Sequence, residues 1–113
     1  MAAVVATVSV TRTSVWGDRK CVDATISFDT GDYAAGGVAL TPANFGLSTK
    51  IDFILTEPGY EVSATPTYNL YRWNSTTAKL EVIQSAAAGA PFTEKGVEAF
   101  GAGANVRVLV IGY

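Results

Sequence analysis

Asp29 and Asp32 are the acidic residues whose spacing could support chemistry, since they flank Thr30-Gly31 in a turn-forming segment. Paired carboxylates on a loop are common first ligands of calcium, and a carboxylate that shares a proton with a second one can activate water. The chain has no histidine and a single cysteine, Cys21, so it offers no imidazole base, no internal disulfide and no cysteine-rich zinc site. Two carboxylates without further acidic or asparagine ligands nearby favour a solvated loop, and we predict no metal site and no cofactor.

The segment from Phe28 to Gly31, Phe-Asp-Thr-Gly, resembles the signature of retropepsin-like aspartic proteases. Residues 109–112, Leu-Val-Ile-Gly, resemble the hydrophobic element beneath the active loop of those enzymes. Their signature continues with Ala or Ser, whereas Asp32 here would add a negative charge beside the paired aspartates. Their glycine-rich flap also lies much farther along the chain than Gly36-Gly37 does here. We therefore interpret Asp29 as a turn cap and Gly31 as a residue of positive φ, and we predict no catalytic residue and no enzyme activity.

The composition indicates one folded domain of low charge. The chain has 113 residues, of which 49% are hydrophobic and 16% charged, so it can form one core and is no disordered tail. The low charge suggests that some apolar surface is reserved for a partner. The net charge is −2 and the basic residues are scattered apart from Arg19-Lys20, so we expect no nucleic-acid partner. We also expect no membrane span, because no apolar stretch is long enough, and Thr7 and Ser9 interrupt the N-terminal run as in a strand.

Hydrophobic periodicity predicts β-structure throughout residues 1–113, which we treat as a single domain. In the first two segments apolar residues alternate with polar ones, and Gly17-Asp18 between them predicts a hairpin turn. Small side chains with Gly89 and Pro91 predict a long Ala/Gly-rich loop over 84–105, near the C-terminal end of the sequence. The predicted strands are 4–11, 22–28, 38–40, 51–56, 60–64, 67–73, 79–83 and 106–111, with one short helical turn at 41–47.

The fold class that follows is all-β, and we favour a single-domain β-sandwich of jelly-roll-like type. Periodicity leaves a small barrel open as the alternative. The sandwich is favoured because residues 106–111 are almost continuously apolar, which is typical of a strand that is covered on both faces.

Residues 24–47 contain an alternating strand, then Tyr33, the Gly36-Gly37 pair, an Ala-Leu-Thr-Pro turn and a Phe-Gly-Leu sequence. This order resembles that of small structural proteins on the outside of tailed-bacteriophage capsids, and the resemblance extends through 51–53 and 106–113. It implies a capsid decoration, or cement, protein. Such a protein is made in the host cytoplasm, binds the major capsid protein on the outer surface of the assembled virion, and stabilises the capsid without catalysis. The resemblance also implies a homotrimer.

Three other functions stay open. One is another virion component, such as a tail or fibre-base protein. The second is a carbohydrate-binding module in which Tyr68, Tyr71 and Trp73 form a sugar-stacking platform, although aromatic residues in a strand more often form core pairs. The third is the retropepsin-like protease.

Two segments are candidates for partner binding. Residues 1–8 could form an extended N-terminal arm that adds to a sheet edge of the capsid protein, with Val4, Val5 and Val8 as contacts, or they could be an edge strand of their own sheet. The second candidate is the loop from Tyr33 to Val38. Its Gly36 and Gly37 would permit close backbone approach, and Tyr33 would be the aromatic anchor.

Overall fold

A computed structural model of the chain describes residues 3–57, 59–62, 67–85, 91–95 and 102–113. These residues form antiparallel strands and one short 3-10 helix, Pro42–Phe45, so the all-β prediction is confirmed. No described helix is long and apolar enough to span a membrane. The described strands are β1 (Ala6–Trp16), β2 (Arg19–Phe28), β3 (Val38–Ala39), β4 (Ile51–Thr56), β5 (Gly59–Val62), β6 (Thr67–Asn74), β7 (Lys79–Ser85), β8 (Phe92–Glu94) and β9 (Ala102–Gly112).

The strands make two sheets. In the main sheet β1 pairs with β2 and β2 with β9, while β4 and β5 follow one another along the other edge of β9. In the small sheet β7 pairs with β6 on one edge and with β3 and β8 on the other. β6 belongs to both sheets, because its first residues pair with β5 and its later residues with β7. β6 therefore connects the two sheets.

The predicted hairpin is confirmed as β1 and β2, although both strands are longer than predicted. Trp16 pairs with Arg19, and Gly17 has φ 66°, a value that glycine adopts without strain and that a two-residue hairpin turn requires. The register shifts between Val10 and Arg12, which marks a bulge in the outer strand. β1 is the edge strand of the main sheet.

The core lies between the two sheets. Alternate residues of β2 and β9 point inward, so that one face of each strand is buried, as period-2 patterning requires. The Phe28 and Tyr71 rings stack across the layers with their centroids 5.9 Å apart. The predicted helical turn is confirmed, and it carries Phe45 into the core, while the backbone N–H of Thr41 donates to Asn44 Oδ1 at 2.8 Å. The buried core includes Val22, Ala24, Ile26, Val106, Val108, Val110, Leu80 and Val82.

Two predictions need correction. The segment 84–105 is not all loop: β7 continues to Ser85, β8 lies within the segment, and β9 begins at Ala102. Residues 86–90 and 96–101 of that segment lie outside the described part of the chain. The small residues at the start of β9 are in a strand because their backbone pairs with β5, and this pairing outweighs weak strand propensity.

The second correction concerns β9. Its residues 106, 108 and 110 are buried, but Arg107 is exposed and Leu109 and Ile111 are half-buried on the opposite face. The fold therefore buries one face of this apolar strand and covers the other face only in part.

Candidate functional site

The outer face of the main sheet carries an apolar surface. Phe53 lies opposite Ile111 in the register, and Leu55 lies opposite Leu109. Directly opposite residues of an antiparallel pair point to the same face, and the neighbours Val108 and Val110 are buried inward, so these four side chains point outward. Phe53 is 53% exposed and Leu55 is 57% exposed, while Leu109 and Ile111 are half-buried. We call these four residues the outer patch.

Ion pairs lie at the borders of the outer patch. On one side, Arg107 Nη2 donates to Asp23 Oδ2 at 2.9 Å, and Arg107 Nε donates to Asp23 Oδ1 at 3.3 Å. The hydrogen bond from Arg107 holds the pKa of the Asp23 carboxyl below its usual range. On the other side, Arg19 Nε lies 3.1 Å from Asp52 Oδ2, and the Arg19 guanidinium lies 5.1 Å from the centre of the Tyr113 ring. These charges are paired within the protein, so a partner that covers the patch need not neutralise them.

A shallow groove runs beside the outer patch. Its volume is about 320 Å³, and its walls include Leu55, Leu109, Glu57 and the Asp23–Arg107 pair. A groove with apolar walls and a charged border can receive a side chain from a partner surface. The outer patch and this groove together are the surface best suited to binding.

The β1 edge is the second uncovered surface. Val10 and Val15 lie on the face of β1 that continues the buried face of β2, yet Val15 is 68% exposed and Val10 is also exposed. The small sheet therefore does not cover this end of the hairpin. Trp16, on the outer face, is 57% exposed.

The predicted N-terminal contacts lie against the domain itself. The Val4 N–H donates to the Asp32 carbonyl at 2.9 Å, and the Val5 N–H donates to Asp29 Oδ1 at 2.9 Å. Val8 pairs with Ile26 inside the main sheet. Val4 and Val8 also pack against the core, whereas the Val5 side chain is exposed. In the structure residues 6–8 belong to the edge strand β1, and residues 3–5 precede it and bond to the turn at 29–32.

Tyr33, which the sequence suggested as a surface anchor, is a core residue. Its side chain is 0% exposed, its hydroxyl donates to Glu94 Oε2 at 2.7 Å, and it accepts from the Val82 N–H at 3.2 Å. Burial raises the pKa of the Tyr33 hydroxyl, so it stays neutral and keeps its proton for the bond to Glu94. Tyr33 cannot contact a partner in this structure.

Residues 36–38 of the same loop also contact the protein itself. The Gly36 N–H donates to Glu94 Oε2 at 2.9 Å. Gly37 packs on the backbone of Leu80, and Val38 is buried and pairs with Leu80 in the small sheet. The close backbone approach expected at these glycines does occur, but toward the protein's own strand.

Asp29 is a turn cap, as predicted. Its Oδ1 accepts the N–H groups of Val5 and Gly31, each at 2.9 Å. The expected positive φ at Gly31 is wrong. A Cβ at that position would lie 2.6 Å from the Ala3 carbonyl oxygen, so glycine is needed there for close backbone packing. No group of three His, Cys, Asp or Glu side chains among the described residues could hold a metal ion.

Asp29 should make stability depend on acid pH. The N–H groups of Val5 and Gly31 hold the pKa of Asp29 below its unfolded value near 3.8. A lowered folded pKa means that the stabilising effect of Asp29 is complete above the unfolded pKa and is lost as the pH falls through the folded pKa. We expect Asp29→Asn to lower the free energy of unfolding at pH 7, and the difference from the parent to shrink in acid. Urea unfolding between pH 7 and pH 2 measures this, and a difference that is constant with pH would contradict it.

The outer patch was missed by the sequence reasoning, although one signal for it was present. The apolar residues of 106–111 predicted that both faces of this strand are covered. They could not show whether each face is covered by the chain itself or by a partner. The proposed sugar platform is not formed as expected, because Tyr71 is buried against Phe28. The side chain of Tyr68 lies outside the described part of the structure, and Trp73 lines a cavity at the end of the sandwich.

Compared with protein-family models, with curated protein sequences and with solved structures, the chain shows no significant match to any of them.

Proposed function

We propose that this chain is a non-enzymatic structural protein of a tailed-phage virion, which binds the major capsid protein on the outside of the assembled capsid and stabilises it. The resemblance of residues 24–47, 51–53 and 106–113 to small structural proteins on the outside of tailed-bacteriophage capsids suggests this class of protein. The observation that carries the proposal is the outer patch, an apolar sheet face that the fold leaves partly exposed.

The two faces of β9 support this proposal. A strand that is apolar on both faces is normally covered on both faces, yet the small sheet covers only one face of β9. Exposed apolar surface with a polar border is typical of a protein interaction site. A partner that covers Phe53 and Leu55 would remove most of their remaining exposed area from water, which stabilises the complex by about 1 kcal/mol for each side chain.

Such a modest energy per contact suits a protein that acts in many copies. Each bound copy stabilises only the assembled capsid, so its binding free energy adds to the stability of the shell by mass action. Copies that each contact neighbouring capsid subunits would resist disassembly together, because many contacts must break. No reactive group is needed for this activity.

The proposal predicts a loss of capsid binding when the outer patch becomes polar. We expect the double change Phe53→Ser and Leu55→Ser to weaken binding to phage heads that lack this protein by at least tenfold, which corresponds to about 1.4 kcal/mol. Cosedimentation with heads measures the binding, and circular dichroism checks the fold. Both side chains are more than half exposed, so the domain should stay folded.

Phe92→Ser is the control and is matched to the Phe53 change. Phe92 is 59% exposed on β8 in the small sheet, so the change removes an apolar area similar to that of Phe53 alone, away from the outer patch. We expect this variant to bind heads like the parent. Equal binding by the parent and the double variant would contradict the outer patch as the attachment surface, and absence of head binding by the folded parent would contradict the proposed function.

A further inference from the structure

The two ends of β4 carry opposite charges beside the outer patch. Lys50 directly precedes β4 and Glu57 directly follows it. Both residues are exposed, and neither side chain makes an ion pair or a hydrogen bond with a described group. Arg107, which interacts with Glu57 only at longer range, is already paired with Asp23. Within the described part of the chain, the outer patch therefore lies between an unpaired ammonium and an unpaired carboxylate.

Lys50 lies on the outer face of the main sheet. Lys50 and Tyr113 exchange backbone hydrogen bonds, at 2.9 and 3.0 Å, so they lie directly opposite each other. Tyr113 points outward, because it is two residues beyond Ile111 and its ring contacts Arg19 beside the patch. Directly opposite residues of an antiparallel pair share a face, so Lys50 points outward as well. The register shift that precedes Phe53 allows Lys50 to share this face with it.

Glu57 lies on the same face, at the other end of β4. Its N–H donates to the Arg107 carbonyl at 3.2 Å, which continues the pairing of β4 with β9 by one residue. Glu57 therefore lies opposite Arg107 and two residues beyond Leu55, on the outward side of both strands. The outward residues along β4 are, in order, Lys50, Phe53, Leu55 and Glu57.

This order of charged and apolar residues is complementary to itself. A second copy can stack face to face on the outer patch, about a two-fold axis that crosses the strands between Phe53 and Leu55. Phe53 then faces Leu55 of the other copy, and Lys50 faces Glu57 of the other copy. Each contact occurs twice, as in every two-fold interface. Aligned sheets pack about 10 Å apart with their strands within about 30° of each other, which keeps these residues facing one another.

We propose that the free protein forms a two-fold dimer through the outer patch, with two Lys50–Glu57 pairs at its border. Any other partner would need an anion and a cation at the matching spacing, which a second copy already carries. The patch is smaller than a standard interface, so we expect a weak dimer with a dissociation constant on the order of 100 μM.

The dimer does not depend on capsid attachment. If heads bind the same patch, the dimer must dissociate first, so self-association would keep Phe53 and Leu55 covered until heads are present. Head binding by the parent therefore tests the proposed function, and the mass of the free protein tests the dimer.

Sedimentation equilibrium measures this association, at protein concentrations up to roughly ten times the expected constant. We expect the mass to rise from one chain to two. Lys50→Glu and Glu57→Lys should each weaken the dimer by about tenfold at low salt, because like charges would face each other twice. Lys79→Glu is the control for Lys50→Glu, since it makes the same charge change on β7 of the small sheet. We expect this control to dimerise like the parent.

Mixing the two reversed variants distinguishes this pairing from a general effect of charge. In a mixed dimer of Lys50→Glu with Glu57→Lys, one copy has two carboxylates beside the patch and the other has two ammonium groups. Both pairs are then attractive, so we expect equal amounts of the two variants to dimerise about as well as the parent. A mixture of Lys79→Glu with Glu57→Lys should not recover in this way.

Several results would overturn the proposed dimer. They are a parent that stays monomeric over this concentration range, a trimer such as the sequence resemblance implies, and a mixture of the reversed variants that associates no better than either alone. Unchanged association of the single variants, with their fold verified by circular dichroism, would also overturn it.

Discussion

Replacing Tyr33 by alanine should lower the free energy of unfolding by about 4 kcal/mol, as expected for the loss of a large buried aromatic side chain. The change would leave a cavity between the sheets and would remove the hydroxyl that joins Glu94 to Val82. Small domains are stable by only about 5–15 kcal/mol, so this variant would be partly unfolded near physiological temperature if the parent lies at the lower end of that range. Urea denaturation followed by near-UV circular dichroism measures the effect.

Tyr33→Phe separates the hydroxyl from the ring. It keeps the packing but leaves the buried Val82 N–H without its acceptor, so we expect a smaller loss of about 1–2 kcal/mol. An alanine variant with parental stability would show that Tyr33 does not pack in the core. It would restore Tyr33 as a candidate for surface contact.

Gly37→Ala should be similarly damaging, with an expected loss of about 3 kcal/mol. Gly37 has φ 116°, a conformation that residues with a Cβ rarely adopt, and an added Cβ would lie 2.7 Å from the Leu80 carbonyl oxygen. The contact is with backbone, which cannot move aside without disturbing the pairing of β3 with β7. Thermal unfolding compared with the parent measures this change.

Gly36→Ala is the control for backbone conformation alone. Gly36 has φ 94°, but the nearest atom to an added Cβ would be Lys79 Nζ, at 3.9 Å and at the end of a flexible side chain. We expect a loss of about 1–2 kcal/mol from conformational strain only. If both variants lose the same stability, the close packing of Gly37 on Leu80 is not what makes glycine necessary.

Local signals predicted the local structure well. Apolar and polar residues alternate on both sides of Gly17-Asp18, and this alternation predicted the hairpin. The alternation and a two-residue turn specify the same pairing register for the two strands. The Thr41-Pro42 sequence predicted the helical turn because proline favours the first position of a helix. Each of these features is determined by residues close together in the sequence.

Tyr33 could not be placed in the same way. Its position depends on Glu94 and Val82, which lie far along the chain and meet it only after the sheets have formed. Nothing within the loop distinguishes an aromatic residue that contacts a partner from one that enters the core. The outer patch could not be predicted for a related reason. The sequence shows how apolar β9 is, but it does not show which face of β9 the small sheet covers.

The position of β9 in the main sheet affects how the protein can be assembled during synthesis. β9 pairs with β2, β4 and β5, all of which precede it in the chain. These strands leave the ribosome first. Although β2 can already pair with β1 and β5 with β6, the strand edges that bind β9 stay unpaired until β9 emerges, so the main sheet cannot be completed before then. Pairing between distant segments is slow, and unpaired strand edges are prone to aggregation in the meantime. We therefore expect recombinant yield to depend on temperature and on chaperones more than native stability alone would indicate.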